Sequence, residues 1–335
     1  MDGLTDLMST VDPGFVRTSQ KVRHLTAAEL GVATPAAPPK PPTDPMVELL
    51  DESDPYLTTV RDLLGTYGGV IFTGPPGTSK SWYAARIGWT LVDGDNERIR
   101  FTQFHPSYQY EDFIEGFVPE AGTFVLKPKH FLQLCKAAEK KTVVLVIDEL
   151  SRGDPGRVFG EALTYLERTK RNLTFRLASG TECKVPDKLV ILATMNPLDR
   201  GVDEVDAALE RRFAKIRMDP DPATLALLLS QAGMADALRD RVLAFFSAVN
   251  ERVGTNVFAL LGHTYFTGIS DEDGLRRLWE HQLRFHFEKA YRLDTDGLAD
   301  VFARWNRVLG IPNADAAAAP GGVLPGAGVV DGGSP

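Results

Sequence analysis

The stretch Gly74-Pro-Pro-Gly-Thr-Ser-Lys-Ser81 lies between a short apolar run, Val70–Thr73, and a segment with helical spacing. It follows the pattern G-x-x-x-x-G-K-[ST] except at Ser79, where the pattern has glycine. In such a loop, backbone N–H groups at a helix N-terminus point toward an anion, and the helix dipole stabilises it. The sequence therefore predicts a phosphate-binding loop made of Gly74, Pro75, Pro76, Gly77, Thr78, Ser79, Lys80 and Ser81.

Within this loop, Lys80 is expected to reach the β- and γ-phosphates, and the Ser81 hydroxyl to ligate Mg²⁺. The effect of Ser79 depends on its backbone. A left-handed conformation would cost a serine about 1–2 kcal/mol, whereas an ordinary conformation would cost little. A surface turn that precedes a lysine by chance is the alternative interpretation of the same residues.

A second element supports the first. The apolar run Val143–Ile147 ends in Asp148 and Glu149. A carboxylate at the end of a buried strand can hold Mg²⁺, and its neighbour can activate an attacking water. We assign these roles to Asp148 and Glu149 respectively, although two acids can also simply end a strand. The order of loop and acid pair favours hydrolysis of a nucleoside triphosphate.

Asn196 closes a further apolar run, Leu189–Met195. Ligands of α/β sheets bind outside the carboxyl ends of the strands, so this amide is expected to face the same crevice and to orient the water. An asparagine that starts a turn before Pro197 explains the position equally well.

The remaining pattern alternates strands and helices, and the strands are almost entirely apolar. This is typical of a parallel sheet with helices on both faces. From Pro222 to Leu309 the apolar residues have helical spacing only, which predicts a smaller all-helical domain. The predicted elements are strands at GGVIFTG, RIRFTQF, TVVLVID, KLVILATMN and FAKIRM, helices at 80–91, 129–139 and 155–168, and a hairpin of NLTFRL with ECKVP.

Both ends of the chain differ from its centre. Prolines are concentrated between Pro35 and Pro55, and the last residues are rich in alanine, glycine and proline. Such segments bury too little apolar surface to fold. We therefore expect a disordered tail and linker over 1–43, with one short helix near 27–30. An α/β nucleotide-binding domain follows over 44–219, then a helical domain over 220–310 and a disordered tail over 311–335.

Composition excludes several classes of protein. The 37 basic and 45 acidic residues give a net charge of −8, which argues against a protein that coats nucleic acid or an anionic membrane. Two cysteines are too few for a disulfide framework or a four-thiolate zinc site. The chain has no apolar run long enough to span a membrane, and its acidic N-terminus is unlike a signal peptide. We expect a cytoplasmic protein that does not bind membranes.

Five segments together resemble the McrB-type group of AAA+ NTPases, over roughly residues 56 to 305. They are FHPSYQYEDFIEG from Phe104, DELSRG from Asp148 with VFGE from Val158, MNPLDR from Met195, ALERRF from Ala208 and LGHTYF from Leu261. The resemblance implies an AAA+ fold with a helical lid and a ring, usually a hexamer. It also implies a McrC-type nuclease partner and Mg²⁺ with ATP or GTP, the choice of base being open. DNA contact would be indirect or through the partner.

The resemblance also assigns roles to single residues. Arg211 and Arg212 end a predicted helix that contains Leu209. One of them is expected to act as a finger on the neighbouring subunit's γ-phosphate, with Arg212 favoured and Arg211 close behind. An arginine that only complements the dipole at the helix C-terminus is the alternative. Tyr108 and Tyr110 follow the second strand, where rings of this superfamily often place pore loops, while Phe113, Ile114 and Phe117 are expected in the core. His263 lies where relatives carry a lid arginine; a core or capping histidine is the stronger expectation.

Two other functions remain open. The hairpin before the fourth long strand, and the small residue at Ser79, also resemble the MoxR group, chaperones that remodel proteins or assist cofactor insertion. A scaffold that binds nucleotide and assembles without hydrolysis is the third possibility. No nuclease-like carboxylate cluster is evident in the sequence, so any cleavage is expected from a partner.

Overall fold

The computed structural model describes residues 49–197, 209, 211–251 and 256–311. Its centre is a five-stranded sheet with the order β2-β5-β8-β1-β9, in which neighbouring strands are parallel. Two separate two-stranded hairpins pair β3 with β4 and β6 with β7. In chain order the strands are Gly69–Thr73, Ile99–Gln103, Glu115–Glu120, Thr123–Pro128, Val143–Asp148, Phe175–Arg176, Glu182–Cys183, Leu189–Met195 and Phe213–Arg217.

The register of the sheet decides where the site lies. Thr73 at the end of β1 pairs with Met195 at the end of β8, and Gln103 of β2 pairs with Asp148 of β5. The carboxyl ends of these strands therefore form one edge, which we call the carboxyl edge. Because β1, β5 and β8 are buried on both faces, nearly all of their residues are apolar.

Helices cover both faces of the sheet, as the sequence predicts. Two separate clusters of buried apolar residues lie against it, one built with α1 and α2 and the other with α4, α5 and α6. The helix α1 begins where the Asp54 side chain accepts hydrogen bonds from the N–H groups of Tyr56 and Leu57. In chain order these helices are Pro55–Thr66, Lys80–Thr90, Tyr110–Phe113, His130–Ala138, Pro155–Phe159 and Ala162–Tyr165.

The prediction of one helix over 155–168 is wrong, because the segment breaks at Gly160. This residue has φ of 49°, which a continuing right-handed helix does not allow. A Cβ there would also lie 2.8 Å from the ring of Tyr110. The result is two short α-helices followed by a 3₁₀ turn at Arg168–Lys170.

The segment after β2 also differs from its prediction. Phe113 and Ile114 are fully buried as expected, but Phe117 is 69% exposed on β3 of an unpredicted hairpin. Tyr108 and Tyr110, which we expected in a pore loop, instead pack against the core. Burial raises the pKa of both phenols. The apolar residues have near-helical spacing, which did not indicate the β-hairpin that β3 forms with β4.

After β9 the described chain is helical, as predicted. Five α-helices surround a core of their own, which contains the fully buried side chains of Phe246, Phe266, Phe287 and Trp305. We call the described region after β9, residues 222–251 and 256–311, the C-terminal helices. Its α-helices are α7 to α11, at Pro222–Gln231, Asp236–Glu251, Glu272–Leu278, Arg284–Ala290 and Thr295–Val308.

The predicted hairpin of NLTFRL with ECKVP is present, shortened to the pairs of β6 and β7. No helix in the part of the chain that the structure describes is long and apolar enough to cross a membrane. The short helix predicted near 27–30, the proline-rich tail over 1–43 and residues 312–335 of the C-terminal tail lie outside the described residues.

Candidate functional site

The predicted phosphate loop connects β1 to α2 at the carboxyl edge. Two glycines give the loop its shape. Gly77 has φ of 78°, in the left-handed region that favours glycine, and a Cβ on Gly74 would lie 2.1 Å from the carbonyl oxygen of Met218. The buried Thr78 hydroxyl donates to the Pro75 carbonyl at 2.9 Å. The loop is therefore folded on itself before any ligand binds.

Ser79 occupies the last loop position in the left-handed conformation, with φ of 65° and ψ of 16°. The sequence left this conformation open. The left-handed conformation costs a serine about 1–2 kcal/mol, whereas it costs a glycine almost nothing. Other contacts in the folded protein therefore have to stabilise this residue.

Lys80 is the first residue of α2. Its ammonium group donates to the Pro75 carbonyl at 2.7 Å, so the side chain bends back over the loop. The helix α2 continues for 11 residues from this point. Its N-terminus and the lysine together place positive charge at the loop.

The acid pair contacts the phosphate loop through a hydrogen bond between two side chains. Asp148 is the last residue of β5, and its Oδ1 accepts a hydrogen bond from Ser81 Oγ at 2.8 Å. The same oxygen accepts from the hydroxyl of Thr194. Because Ser81 lies in the first turn of α2 and Asp148 ends β5, this contact joins the two elements that the sequence linked only by their order.

Thr194 is a residue that sequence reasoning missed. Its side chain is buried on β8, and its hydroxyl also accepts the backbone N–H of Glu149 at 3.1 Å. One threonine thus fixes both acids, the first through its carboxylate and the second through its backbone. The available signal was a polar residue within an otherwise apolar strand.

Glu149 and Asn196 line the same cleft as the loop, together with Lys80 and Ser81. The cleft has a volume of about 360 Å³. Glu149 has a left-handed backbone, with φ of 55°, and its carboxylate forms an ion pair with Arg152 at 3.4 Å. A strained backbone of this kind is held in place by its surroundings and is common where a side chain must be aimed.

Ser81 and Asp148 are the residues proposed to hold Mg²⁺, and their chemistry fits that ion. Both offer oxygen atoms, which Mg²⁺ prefers, and they already lie within hydrogen-bonding distance of each other. Among the described residues, no group of three or more His, Cys, Asp or Glu side chains could hold a metal. A magnesium ion that arrives with a nucleotide needs only one or two protein ligands, since phosphates supply others.

Arg211 and Arg212 lie at the opposite edge of the sheet. The Arg212 carbonyl accepts the N–H of Gly68, and Phe213 pairs with Gly69 at the start of β1. The five residues of β1, about 16 Å, separate them from the loop. Neither arginine therefore reaches the cleft of its own chain.

The two arginines differ in exposure. The sequence favoured Arg212, but its side chain is only 6% exposed, whereas Arg211 is exposed to solvent. A residue that reaches a neighbouring subunit has to be accessible, and of these two arginines only Arg211 is exposed. Asp199 and Arg200 lie outside the described residues.

The C-terminal helices contact the loop through the segment Gly262–Phe266. The N–H of Thr264 donates to the Gly77 carbonyl at 3.0 Å. A Cβ on Gly262 would lie 2.2 Å from that carbonyl oxygen, so glycine is needed for this approach. His263 is buried beside the loop, and burial lowers its pKa.

Comparison with known proteins agrees with this geometry. Residues 69–213 match the AAA domain (dynein-related subfamily). The chain is 29% identical over 246 residues to the Type IV methyl-directed restriction enzyme EcoKMcrB subunit of Escherichia coli (strain K12). The aligned region covers 68% of this chain and 53% of that protein. It is 28% identical over 191 residues to the Type II restriction enzyme BsuMI component YdiS of Bacillus subtilis (strain 168), with 43% and 55% covered.

The chain thus spans about half the length of the curated relatives it matches. The family match covers β1 to the start of β9 and so includes the loop, the acid pair and Asn196. The predicted fold class, a parallel sheet with helices on both faces followed by a helical region, is confirmed. Residues 69–213 thus match an AAA domain, and the chain is similar to McrB-type restriction subunits.

Proposed function

We propose that this protein is a Mg²⁺-dependent nucleoside triphosphatase that uses ATP or GTP. In this proposal it is the ring-forming motor subunit of a McrB-like restriction complex. The observation that carries the proposal is the hydrogen bond between Ser81 and Asp148, because it joins a phosphate-type loop to a strand-end acid pair. Its two units would be a nucleotide-binding domain over 44–219 and a helical domain over 220–310.

Binding would use the loop from Gly74 to Ser81. Backbone N–H groups at the start of α2 would donate to phosphate oxygens, and the Lys80 ammonium would exchange its Pro75 carbonyl for the β- and γ-phosphates. Ser81 and Asp148 would hold the magnesium ion, which supplies charge neutralisation at the transferred phosphoryl group.

Hydrolysis would depend on Glu149 and Asn196. The Glu149 carboxylate would accept a proton from the attacking water, and the Asn196 amide would orient that water. The ion pair with Arg152 would help to orient the Glu149 side chain. Thr194 would hold the backbone of Glu149 so that the base lies beside the loop.

A complete site would need a second copy of the chain. Arg211 lies across the sheet from its own cleft and is exposed, which suits a residue that reaches the neighbouring subunit's γ-phosphate. An arginine of this kind is worth roughly 10³–10⁵ in rate. We therefore propose a ring, with six subunits as the expected number.

The names of the relatives carry the proposed biological role. Both are components of restriction enzymes, one of type IV and one of type II. By analogy, this chain would act with a nuclease subunit that cuts the DNA, and its own contact with DNA would be indirect.

A second candidate is a MoxR-like chaperone that remodels a protein or assists cofactor insertion. The observation that favours it is the short hairpin of β6 and β7 before β8. Isolation of the protein with its native partners discriminates the two, since a nuclease subunit supports the first role and a metalloenzyme supports the second.

The experiment that tests the proposed activity is steady-state hydrolysis of ATP and GTP in parallel, over a range of protein concentrations. We expect Mg²⁺-dependent phosphate release from at least one nucleotide, and a rate that rises more steeply than linearly as rings assemble. A folded protein that releases phosphate from neither nucleotide at any concentration would refute the proposal.

A further inference from the structure

Ser79 of the phosphate loop and His263 of the C-terminal helices form a direct contact, although they are 184 positions apart in the sequence. Ser79 Oγ lies 2.8 Å from Nε2 of His263. The histidine is 3% exposed, so its side of this hydrogen bond is shielded from water, while Ser79 is half-buried at the cleft. The contact links the two halves of the described structure at the loop itself.

The second ring nitrogen shows which partner donates. The backbone N–H of Asp221 donates to Nδ1 of His263 at 3.3 Å. Nδ1 is therefore the acceptor, the ring proton resides on Nε2, and Nε2–H donates to Ser79 Oγ. Burial lowers the pKa of His263, in agreement with a neutral ring.

Ser79 is also the loop residue that needs support. Its φ of 65° is strained for any residue with a Cβ, and the usual pattern avoids the strain by placing glycine there. Within α2, its side chain provides no capping hydrogen bond. The hydrogen bond from His263 therefore stabilises a conformation that serine does not favour on its own.

We propose that His263 is a positioning residue that holds Ser79 in the left-handed conformation, so that the C-terminal helices set the shape of the phosphate loop. Neighbouring contacts act in the same direction, since Thr264 donates to Gly77 and Gly262 packs on the same carbonyl. The loop would bind a nucleoside triphosphate with full affinity only while the C-terminal helices contact the loop. This inference rests on the proposed nucleotide binding at the loop.

The test is a double-mutant cycle of His263→Ala and Ser79→Gly. Glycine adopts a left-handed backbone without strain, so the Ser79→Gly background removes the need for His263. In the protein that keeps Ser79, we expect His263→Ala to weaken Mg-nucleotide binding about 5- to 30-fold. This range corresponds to the free-energy cost of a left-handed conformation at a serine. In the Ser79→Gly background the same change should weaken binding less than about 3-fold.

Two further variants show whether weaker nucleotide binding in His263→Ala comes from the lost hydrogen bond. His263→Gln keeps an N–H donor at a similar reach and should recover part of the affinity. His281→Ala, on an exposed histidine of the same helical region, is the matched control and should bind like the parent. An equal loss from His263→Ala in both backgrounds would overturn the inference, because it would mean that the histidine acts on the nucleotide directly.

The same cycle is measured without nucleotide by thermal unfolding. We expect His263→Ala to lower the melting temperature more in the serine background than in the Ser79→Gly background. This readout remains informative if no variant binds nucleotide, in which case the proposed function fails while the coupling is still tested. Additive melting shifts in the two backgrounds would overturn the inference.

Discussion

Ser81 and Asp148 lie 67 positions apart, and the serine hydroxyl donates to the aspartate carboxylate at 2.8 Å. Ser81 belongs to the first turn of α2, and Asp148 ends β5. Since β5 and β1 both border β8 in the sheet, the fold itself brings these two oxygen-bearing groups together at the carboxyl edge. The fold thus places the two proposed magnesium ligands side by side.

Thr194→Val should disrupt this arrangement with little change in side-chain volume. The variant removes the buried hydroxyl that donates to Asp148 Oδ1 and accepts the Glu149 N–H, while Asp148 keeps its contact with Ser81. Loss of this hydroxyl costs about 1–3 kcal/mol of the free energy of unfolding. Turnover should fall as well. Denaturant unfolding and steady-state hydrolysis measure the two effects, and Thr194→Ser, which keeps the hydroxyl, is the control. Valine behaving like serine would contradict the assigned role.

Glu149→Gln should separate binding from hydrolysis. The amide cannot accept the proton of the attacking water, so turnover should fall by roughly 10²–10⁴. Nucleotide affinity should remain within about 3-fold of the parent, because the loop and the metal ligands are unchanged. Glu97→Gln, an exposed acid distant in sequence from both motifs, is the matched control. A Glu149→Gln variant with normal turnover would show that another residue is the base.

Arg211→Ala should be inactive alone and regain activity in a mixture with Glu149→Gln. In a mixed ring, some sites receive an intact base from one subunit and an intact arginine from its neighbour. The loss in the single variant should be roughly 10³-fold or more. Arg212→Ala, on the buried arginine, should instead lower the melting temperature. Absence of recovery at every mixing ratio would argue against a shared site.

Stability should fall as the pH drops below about 6.5. Burial lowers the pKa of His130, His263 and His286 relative to the unfolded chain. The unfolded state therefore binds more protons in this range, and protonation favours unfolding. Melting temperatures between pH 7.5 and 5.5 test this, a window in which ordinary carboxylates stay ionised. A melting temperature that is constant or rises toward pH 5.5 would contradict the expectation.

The parts of the site that are local in sequence could be predicted. The loop from Gly74 to Ser81 and the pair Asp148–Glu149 each combine an apolar strand with the polar residues that follow it, and both periodicity and chemistry are visible there. The fold class followed from the same alternation of apolar strands with helices.

Contacts between distant segments could not be predicted. Nothing near Thr194 in the sequence indicates that its hydroxyl holds both acids, and nothing near Ser79 indicates the partner His263. Phe117 was misplaced because apolar residues at near-helical spacing also fit a hairpin. The helix break at Gly160 depends on packing against Tyr110. The contacts of Thr194, Ser79 and Gly160 join segments that are distant in sequence, whereas Phe117 depends on a local choice between helix and hairpin.

Calorimetric titration with a non-hydrolysable ATP or GTP analogue measures whether the loop beginning at Gly74 binds a Mg-nucleotide. We expect Mg²⁺-dependent binding by the parent, and about 10- to 100-fold weaker binding by Lys80→Ala, which loses a charged hydrogen-bond donor to phosphate. Lys136→Ala, on an exposed lysine of α4, should bind like the parent. Equal affinity in the Lys80→Ala variant, or no binding by the folded parent at millimolar nucleotide, would contradict nucleotide binding at this loop.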